Sequence, residues 1–405
     1  MHILMISDVY FPRVNGVSTS IHTFIAEHKK LGNKVTLVCP DYSNHKNIYY
    51  DIENDIIRLP SKHIMFDPED RLIKLSSFDL LKEKLAEFQF DIIHIQTPFI
   101  AHHFGTKLSH LLGIPCVETY HTFFEEYFHH YIPFIPKSVL RFFSKRLSAK
   151  QCNELDAVIV PSSAMRDVLY NYGVNAPLNI IPTGLQLSNF EAGDGRIFRS
   201  KHTIPESRPV LLYVGRVARE KNIDFLIDML TLVKKQISDV LLVIAGEGPA
   251  QKSLQKLAVK HGLQGNTLFI GYMKRDSELL DCYRSANAFV FSSNTETQGL
   301  VLLEALACGT PVVSTAVMGT IDVLNPVDGG CIIAEQNHRD FSAKVVELLK
   351  DTSLQNKLRH QAGKYIQEWS AVKFAQKTTV FYRSVINEND EILERKSSLF
   401  TIDQT

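Results

Sequence analysis

The chain has 405 residues, more than one ordinary hydrophobic core serves, so two domains are expected. With 45% hydrophobic and 22% charged residues, its composition is that of an ordinary globular protein. Lys+Arg and Asp+Glu balance at 44 each, so no global field argues for nucleic acid or an acidic polymer as partner.

Cys39, Cys116, Cys152, Cys282, Cys308 and Cys331 are scattered, with no CxxC and no ligand-like spacing. Most stand in apolar strings, where Cys behaves as a small buried hydrophobe, and a reducing compartment is expected. Met1–Ser7 is apolar but is interrupted by Asp8 and has no basic stretch before it, so it does not read as a secretory signal. No apolar run reaches the roughly 18 residues a membrane span needs. The expected location is cytoplasmic, with any membrane contact made from the surface.

Along the chain, short apolar runs alternate with amphipathic stretches. Ile3–Ser7, Val35–Cys39, Ile92–Gln96, Cys116–Tyr120 and Ala157–Val160 read as buried parallel strands, with helical patterns such as Ser18–Leu31 and Phe78–Phe88 between them. Near Pro182 the pattern pauses, and the polar stretch Ser188–Ser207, with Gly193 and Gly195, is the expected linker. A second series follows. Strands are expected at Val210–Val214, Leu241–Ala245, Thr267–Ile270, Ala288–Phe291 and Val312–Ser314, with helices at Ile223–Gln236, Gln251–His261 and Leu300–Ala307. Such alternation predicts an α/β protein with two doubly wound parallel sheets and right-handed crossovers. Ligands then bind beyond the carboxyl ends of the strands, and the expected site is a cleft between two facing domains. One long helical pattern runs from Tyr365 to Ile386, and the polar tail Asn387–Thr405 is expected to be mobile.

The most informative segment is Phe291–Pro311, FSSNTETQGLVLLEALACGTP. A strand ends at Phe291, a polar loop carries Glu296, and Gly299 opens a helix that Gly309 and Pro311 close. The first N–H groups of that helix, on Gly299, Leu300 and Val301, form an anion site aided by the helix dipole. Glu296 and Glu304 flank it, and sugar or ribose hydroxyls are the obvious donors to such acids. An ordinary loop–helix junction with two surface acids would show the same spacing. The segment resembles the E-x7-E signature of retaining glycosyltransferase family 4, whose members have the GT-B fold. The resemblance implies that Glu296 contacts donor-sugar hydroxyls, that Glu304 holds the ribose, and that the amides of Gly299 and Leu300 bind the diphosphate.

Val214–Asn222, VGRVAREKN, begins at the end of the second series' first strand and places Arg216 and Lys221 across a turn. Arg offers a planar fork to phosphate oxygens and Lys a compact charge. The string resembles the family's G-R-x-x-x-E-K-N motif, which implies that both neutralise the diphosphate leaving group in place of a metal. Ala245–Pro249, including Gly246, and Gly271–Met273 follow strands where the family's chain borders the nucleotide and its base. In the first domain, Pro12–Val17 joins strand to helix; Gly16 would bring its amide to the donor phosphate, and Ser18 is the expected N-cap. The family has two consecutive glycines here, so Asn15 departs from the pattern, although Asn tolerates left-handed geometry. His121, in TYHT after a strand, matches the family's donor-sugar-contacting His. No second carboxylate is positioned as a nucleophile. The acid cluster Asp51–Asp55 reads as an exposed loop and His129–His130 lacks a metal spacing, so no metal or other cofactor is expected.

The resemblance assigns residues 1–187, with a returning C-terminal helix at about 365–386, to acceptor binding, and residues 188–364 to the nucleotide sugar. After His121 the sequence interleaves Phe123, Phe124, Tyr127, Phe128, Tyr131, Phe134, Phe142 and Phe143 with Lys137, Arg141, Lys145, Arg146 and Lys150. That pairing suits an interfacial segment on anionic lipid, and it is similar to bacterial glycolipid-forming glucosyl- and mannosyltransferases. An internal helix with a basic outer face is the competing reading, and Glu125 and Glu126 count against the membrane. Three functions stand. They are a retaining transferase of a hexose from UDP-glucose or GDP-mannose to a lipid or membrane-linked acceptor, a transferase to a soluble sugar or metabolite, and a GT-B epimerase or non-catalytic sugar-nucleotide binder.

Overall fold

The computed structural model describes residues 1–43, 45–64, 67–121, 137–274 and 277–402. The chain forms two compact units, Met1–Gly184 with Ala371–Thr405, and Leu185–Ser370.

The first unit runs β1 (His2–Ile6), α1 (Gly16–Lys30), β2 (Lys34–Pro40), β3 (Tyr49–Asp51), β4 (Ile56–Leu59), β5 (Ser61–Ile64), β6 (Asp67–Ile73) and α2 (Phe78–Leu85). It continues with β7 (Ile92–Ile95), α3 (Ile100–Leu112), β8 (Cys116–Thr119), α4 (Lys137–Asn153), β9 (Ala157–Val160), α5 (Ser163–Tyr172) and β10 (Leu178–Ile180), and it is completed by a C-terminal helix, Ala371–Ile402. Among the described residues the main sheet has the order β10-β9-β8-β7-β1-β2-β4-β3. It is parallel apart from the β3–β4 pair, and β5–β6 form a separate antiparallel ribbon. Ile3, Leu4, Met5 and Ile6 of β1 are all fully buried, because helices cover both faces of a parallel sheet.

The helix expected from Ser18 begins at Gly16, and its N-cap is Asn15. Asn15 is extended, at φ −152°, and its Oδ1 accepts from the Ser18 N–H at 2.8 Å. The departure at this position is therefore a capping residue rather than a left-handed one. The DIEND acids lie on the end of β3 and the turn into β4, where Asp51 accepts from the Asn54 backbone and side chain at 3.2 and 2.8 Å. The long helix expected from Tyr365 is broken: a 3-10 turn spans Ile366–Trp369, and a new helix starts at Ala371 and runs to Ile402. The helix thus extends into the polar tail as far as that residue. Phe381, Tyr382 and Val385 of this helix share one core with Ile21 and Ile25 of α1.

The second unit runs α6 (Gly195–Lys201), β11 (Val210–Val214), α7 (Ile223–Lys234), β12 (Leu241–Ala245), α8 (Gln251–Lys260), β13 (Thr267–Gly271) and α9 (Ser277–Ser285). It ends with β14 (Ala288–Phe291), α10 (Leu300–Ala307), β15 (Val312–Ser314), α11 (Thr320–Val323), β16 (Cys331–Ile333), α12 (His338–Lys350) and α13 (Thr352–Tyr365). Its sheet, parallel throughout the described residues, has the order β13-β12-β11-β14-β15-β16. The expected linker Ser188–Ser207 is instead a packed part of this unit. It contains α6, and Arg199 donates to the Ser285 carbonyl at 3.0 and 2.8 Å and to the Pro205 and Arg208 carbonyls at 2.8 and 2.9 Å. A guanidinium satisfied by carbonyls is a structural anchor, which a reading of polarity alone takes for a loop.

In the first unit His102 of α3 bridges Glu118 of β8 at 2.6 Å and Glu154, just beyond α4, at 3.3 Å. Burial opposes its protonation, but the hydrogen bonds and charges of the two carboxylates outweigh burial and raise its pKa above 6.5. A raised folded-state pKa stabilises fully below pH 6.5 and the gain fades as pH rises through the raised value. The stability advantage of the wild type over His102→Gln, read from urea midpoints, is therefore expected to be largest below pH 6.5 and to shrink at higher pH. An advantage that grows with pH would overturn this assignment.

Candidate active site

In the second unit β11 and β14 are hydrogen-bonded neighbours, and the strands that follow each lie on opposite sides of the pair. This is the switch point of a doubly wound sheet, where two successive loops open a crevice beyond the carboxyl ends of their strands. The sequence-predicted residues Arg216, Lys221 and Glu296 lie on those two loops. Lys221 Nζ and Glu296 Oε1 meet at 2.6 Å, and both side chains are mostly buried. Asn222 ties the loops together: its Nδ2 donates to the Ser292 carbonyl at 3.1 Å, and Ser292 Oγ donates to the Asn222 carbonyl at 2.8 Å. Asn222 stands at φ 55°, the left-handed region that Asn tolerates. It belongs to the quoted motif, but its side chain does what spacing alone does not show. Arg216 is exposed, and its carbonyl accepts from Tyr213 at 3.2 Å.

Gly246 supports the Arg216 loop from β12. A Cβ there would fall 1.9 Å from the Gly215 carbonyl oxygen, so only glycine permits the approach. The next turn fastens the same loop, with Val217 N–H donating to the Glu247 carbonyl at 2.8 Å and Ala250 N–H to the Val217 carbonyl at 3.0 Å. Met273, half-buried, follows the edge strand β13, and Glu247 Oε1 accepts from the Tyr272 N–H at 3.2 Å.

Gly299 precedes α10 at φ 94°, ψ 55° and contributes no side-chain cap. This left-handed entry turns the first amides of α10, Leu300 and Val301 among them, out of the loop without an intrahelical acceptor. Leu302, Leu303, Ala305 and Leu306 are buried, which fixes the helix axis. Glu304 is buried too, only 2% exposed, and Tyr283 of α9 donates to its Oε2 at 2.9 Å. The two acids are therefore not the surface pair that an ordinary loop–helix junction would carry. The loop after β15 braces the Glu296 loop through Gly319 N–H, which donates to the Glu296 carbonyl at 2.9 Å. Ala316 and Met318 in that loop have φ 45° and 55°. Non-glycine residues held there carry on the order of 1–3 kcal/mol of strain each, and such strain collects at functional sites. No motif in the sequence pointed to this brace.

The first unit has its own switch point, between β1 and β7. Gly16 opens α1 in the loop beyond β1, and a Cβ there would meet nothing within 4 Å. Also beyond β1, buried Asp8 accepts from Thr97 Oγ1 at 2.8 Å and from the Ala101 N–H at 3.1 Å. Burial lifts its carboxyl to about 6 against those hydrogen bonds. His121 follows β8; its Nε2 lies 3.0 Å from Gln96 Oε1, and burial pulls its pKa down to about 4. Burial thus favours the neutral ring.

The expected interfacial segment is only partly described. Phe123, Phe124, Glu125, Glu126, Tyr127, Phe128, His129, His130, Tyr131 and Phe134 lie outside the described residues. Farther along, α4 buries Leu140, Ser144, Ser148 and Cys152 at helical spacing. Its other side exposes Phe142 (51%) and Phe143 (64%) beside Arg141, Lys145 and Arg146, with the Arg146 guanidinium 4.5 Å from the Phe142 ring centre. No described helix is long and apolar enough to cross a membrane.

Residues 14–189 match Glycosyltransferase Family 4, and residues 194–369 match Glycosyl transferases group 1. The alpha-monoglucosyldiacylglycerol synthase of Streptococcus pneumoniae is 33% identical over 96% of this chain and 87% of its own. The enzyme of the same name from Acholeplasma laidlawii is 26% identical over 98% of this chain and 100% of its own. Among solved structures, the sucrose-phosphate synthase of Thermosynechococcus elongatus superposes with a TM-score of 0.76 at 21% identity, over 96% of this chain and 99% of that one, which shows the fold. The chain is a glycosyltransferase of the GT-B fold and belongs to glycosyltransferase family 4.

Proposed function

We propose that this enzyme moves a hexose from a nucleotide-diphosphate sugar, UDP-glucose before GDP-mannose, to a lipid acceptor at a membrane surface with retention of anomeric configuration. The observation that carries the donor half is the Lys221–Glu296 pair at the switch point, next to the uncapped amides that follow Gly299. Anion, cation and carboxylate functions converge there as a sugar diphosphate needs them.

In this reading the diphosphate lies on the amides of Gly299, Leu300 and Val301, with Arg216 and Lys221 taking up the charge that grows as it leaves. Glu296, held by Lys221, accepts from sugar hydroxyls; Glu304, held by Tyr283, accepts from the ribose. Gly246 and Met273 border the nucleotide. Gly16, with open space before it, brings an amide toward the phosphates, and His121 accepts from the sugar. The acceptor oxygen bonds to the anomeric carbon while the carbon–oxygen bond to phosphate breaks, its electron pair going to the diphosphate. The acceptor proton passes to a departing phosphate oxygen on the same face. Glu296 is engaged with Lys221, so no glycosyl–enzyme intermediate is invoked. Arg216 and Lys221 supply the charge a metal would otherwise bring.

The acceptor half rests on the names of the two similar synthases, which specify diacylglycerol products, and on the outer face of α4. Exposed aromatics beside arginine and lysine insert at the headgroup boundary while the cations meet anionic phosphate.

A thermal-shift panel of nucleotide sugars is expected to single out one donor, since a ligand at about 100 times its Kd adds roughly 2.7 kcal/mol. Glu304→Ala is expected to abolish most of that shift, whereas Glu296→Ala keeps it and loses turnover; the reverse pattern overturns the assigned roles. Turnover is expected to persist in EDTA and to yield a retained product; dependence on a divalent ion or an inverted anomer overturns the mechanism. Sedimentation with anionic vesicles is expected for the wild type and to weaken in Phe142→Ser/Phe143→Ser with the donor shift unchanged. Wild type left in the supernatant would favour a soluble acceptor.

A further inference from the structure

In the second unit the loops after β11, β12 and β13 are joined by contacts that meet at Glu247. The parallel pairing of β12 with β13 slips between Ile244 and Ala245, so that Ala245 pairs with Gly271 and Ile270 is the extra residue. A bulge of this kind re-aims the chain that follows it. Gly271 then turns at φ 73°, and its carbonyl accepts from the Gly246 N–H at 2.7 Å. Past that contact the Tyr272 N–H donates to Glu247 Oε1 at 3.2 Å. A Cβ on Gly271 would lie 3.2 Å from the same oxygen, so the carboxylate rests against bare backbone.

Glu247 holds a second loop with its main chain. Its carbonyl accepts from the N–H of fully buried Val217, the residue after Arg216, at 2.8 Å. At Gly248 a Cβ would fall 2.3 Å from the Val217 carbonyl oxygen, so the Arg216 loop lies flush on this turn. The segment after β13 is placed differently. β13 is the edge of the sheet, two strand spacings or roughly 10 Å from β11, and beyond it the Tyr272 backbone is met by a side chain. Among the described residues the Met273 N–H and carbonyl have no hydrogen-bond partner. A donor and an acceptor on one residue suit the edge of a nucleobase, which presents donors and acceptors side by side.

We infer that Glu247 is a positioning residue for nucleobase selection: its carboxylate holds the Tyr272–Met273 backbone where a bound base meets it. The same residue's main chain fixes the loop that carries Arg216 toward the diphosphate. Glu247 therefore sets the spacing between the phosphate-facing loop and the base-facing segment, and through it the preference among nucleotides. The consequence for nucleotide preference rests on the proposed function; the hold on the Tyr272 amide does not.

The test titrates UDP, GDP and ADP into the full-length enzyme by calorimetry and follows amide exchange in 15N-tyrosine-labelled protein, with Tyr272 identified by its loss in Tyr272→Phe. Glu247 is exposed, so its variants are expected to fold. Glu247→Ala is expected to speed exchange of the Tyr272 amide by about fivefold, whereas Glu247→Gln, which keeps an acceptor oxygen, stays within about twofold of the wild type. In Glu247→Ala the preferred nucleoside diphosphate is expected to bind about fivefold more weakly and the other two to change by less than about twofold. With the matching sugar donor, KM rises and kcat changes little. Unchanged Tyr272 exchange in Glu247→Ala, equal weakening of all three nucleotides, or a Glu247→Gln as impaired as Glu247→Ala overturns the inference. The expected exchange series in an enzyme that binds none of the three nucleotides would overturn the proposed function instead.

Discussion

The reversal of strand order between β11 and β14 is the constraint on which the candidate site depends. Adjacent parallel strands normally send their crossovers the same way, and the loops then pack against each other. Where the order reverses they part, and only there do two loops face one open volume with their backbones already held by the sheet. The Asn222–Ser292 hydrogen bonds tie the two loops together, and Lys221 reaches Glu296 across them. An ion pair on two unbraced loops would contribute little, because ordering long side chains offsets the Coulomb gain. Here the ordering comes from the fold.

Three helix N-termini near the two switch points are met in different ways. The α3 N-terminus is met by Asp8 and that of α1 by Asn15, so each carries a polar partner from the chain itself. The α10 N-terminus is entered through a glycine with no side chain to offer. By the same electrostatics that make Asp8 acceptable in a buried place, an uncapped N-terminus favours an incoming anion. Of these three helix starts, that of α10 has no side-chain partner of its own.

Much of this was legible in the sequence. Val210–Val214, Leu241–Ala245 and Ala157–Val160 are strands within the bounds their apolar runs suggested, because burial on both faces leaves little room for polar residues. Short edge strands such as β3 and β10 escaped the pattern, since an element partly open to solvent need not be apolar. The linker was misjudged because Arg199 satisfies itself on carbonyls, an interaction that composition reads as polarity. At the site, motif residues could be named in advance, yet what holds them could not. Tyr283 precedes Glu304 by 21 positions and Gly319 lies beyond the next strand, so their contacts exist only once the sheet brings them together.

That supporting layer bears on catalysis as well as on shape. Burying a carboxylate costs several kcal/mol unless hydrogen bonds compensate, by the usual scale for such groups. Glu304 is already out of water and already paired with Tyr283 before any ligand arrives. Glu296 is likewise held by Lys221 on its side chain and by Gly319 on its backbone. For the donor proposed above, folding meets these desolvation and ordering costs before binding. Interactions prepared in this way need no reorganisation when charge moves onto the leaving group, which is where fixed dipoles and cations contribute most to rate. The strained Ala316 and Met318 belong to the same economy: the loop they distort is the one whose amide at Gly319 fixes the Glu296 backbone. Stability given up there is recovered as a carboxylate that does not wander.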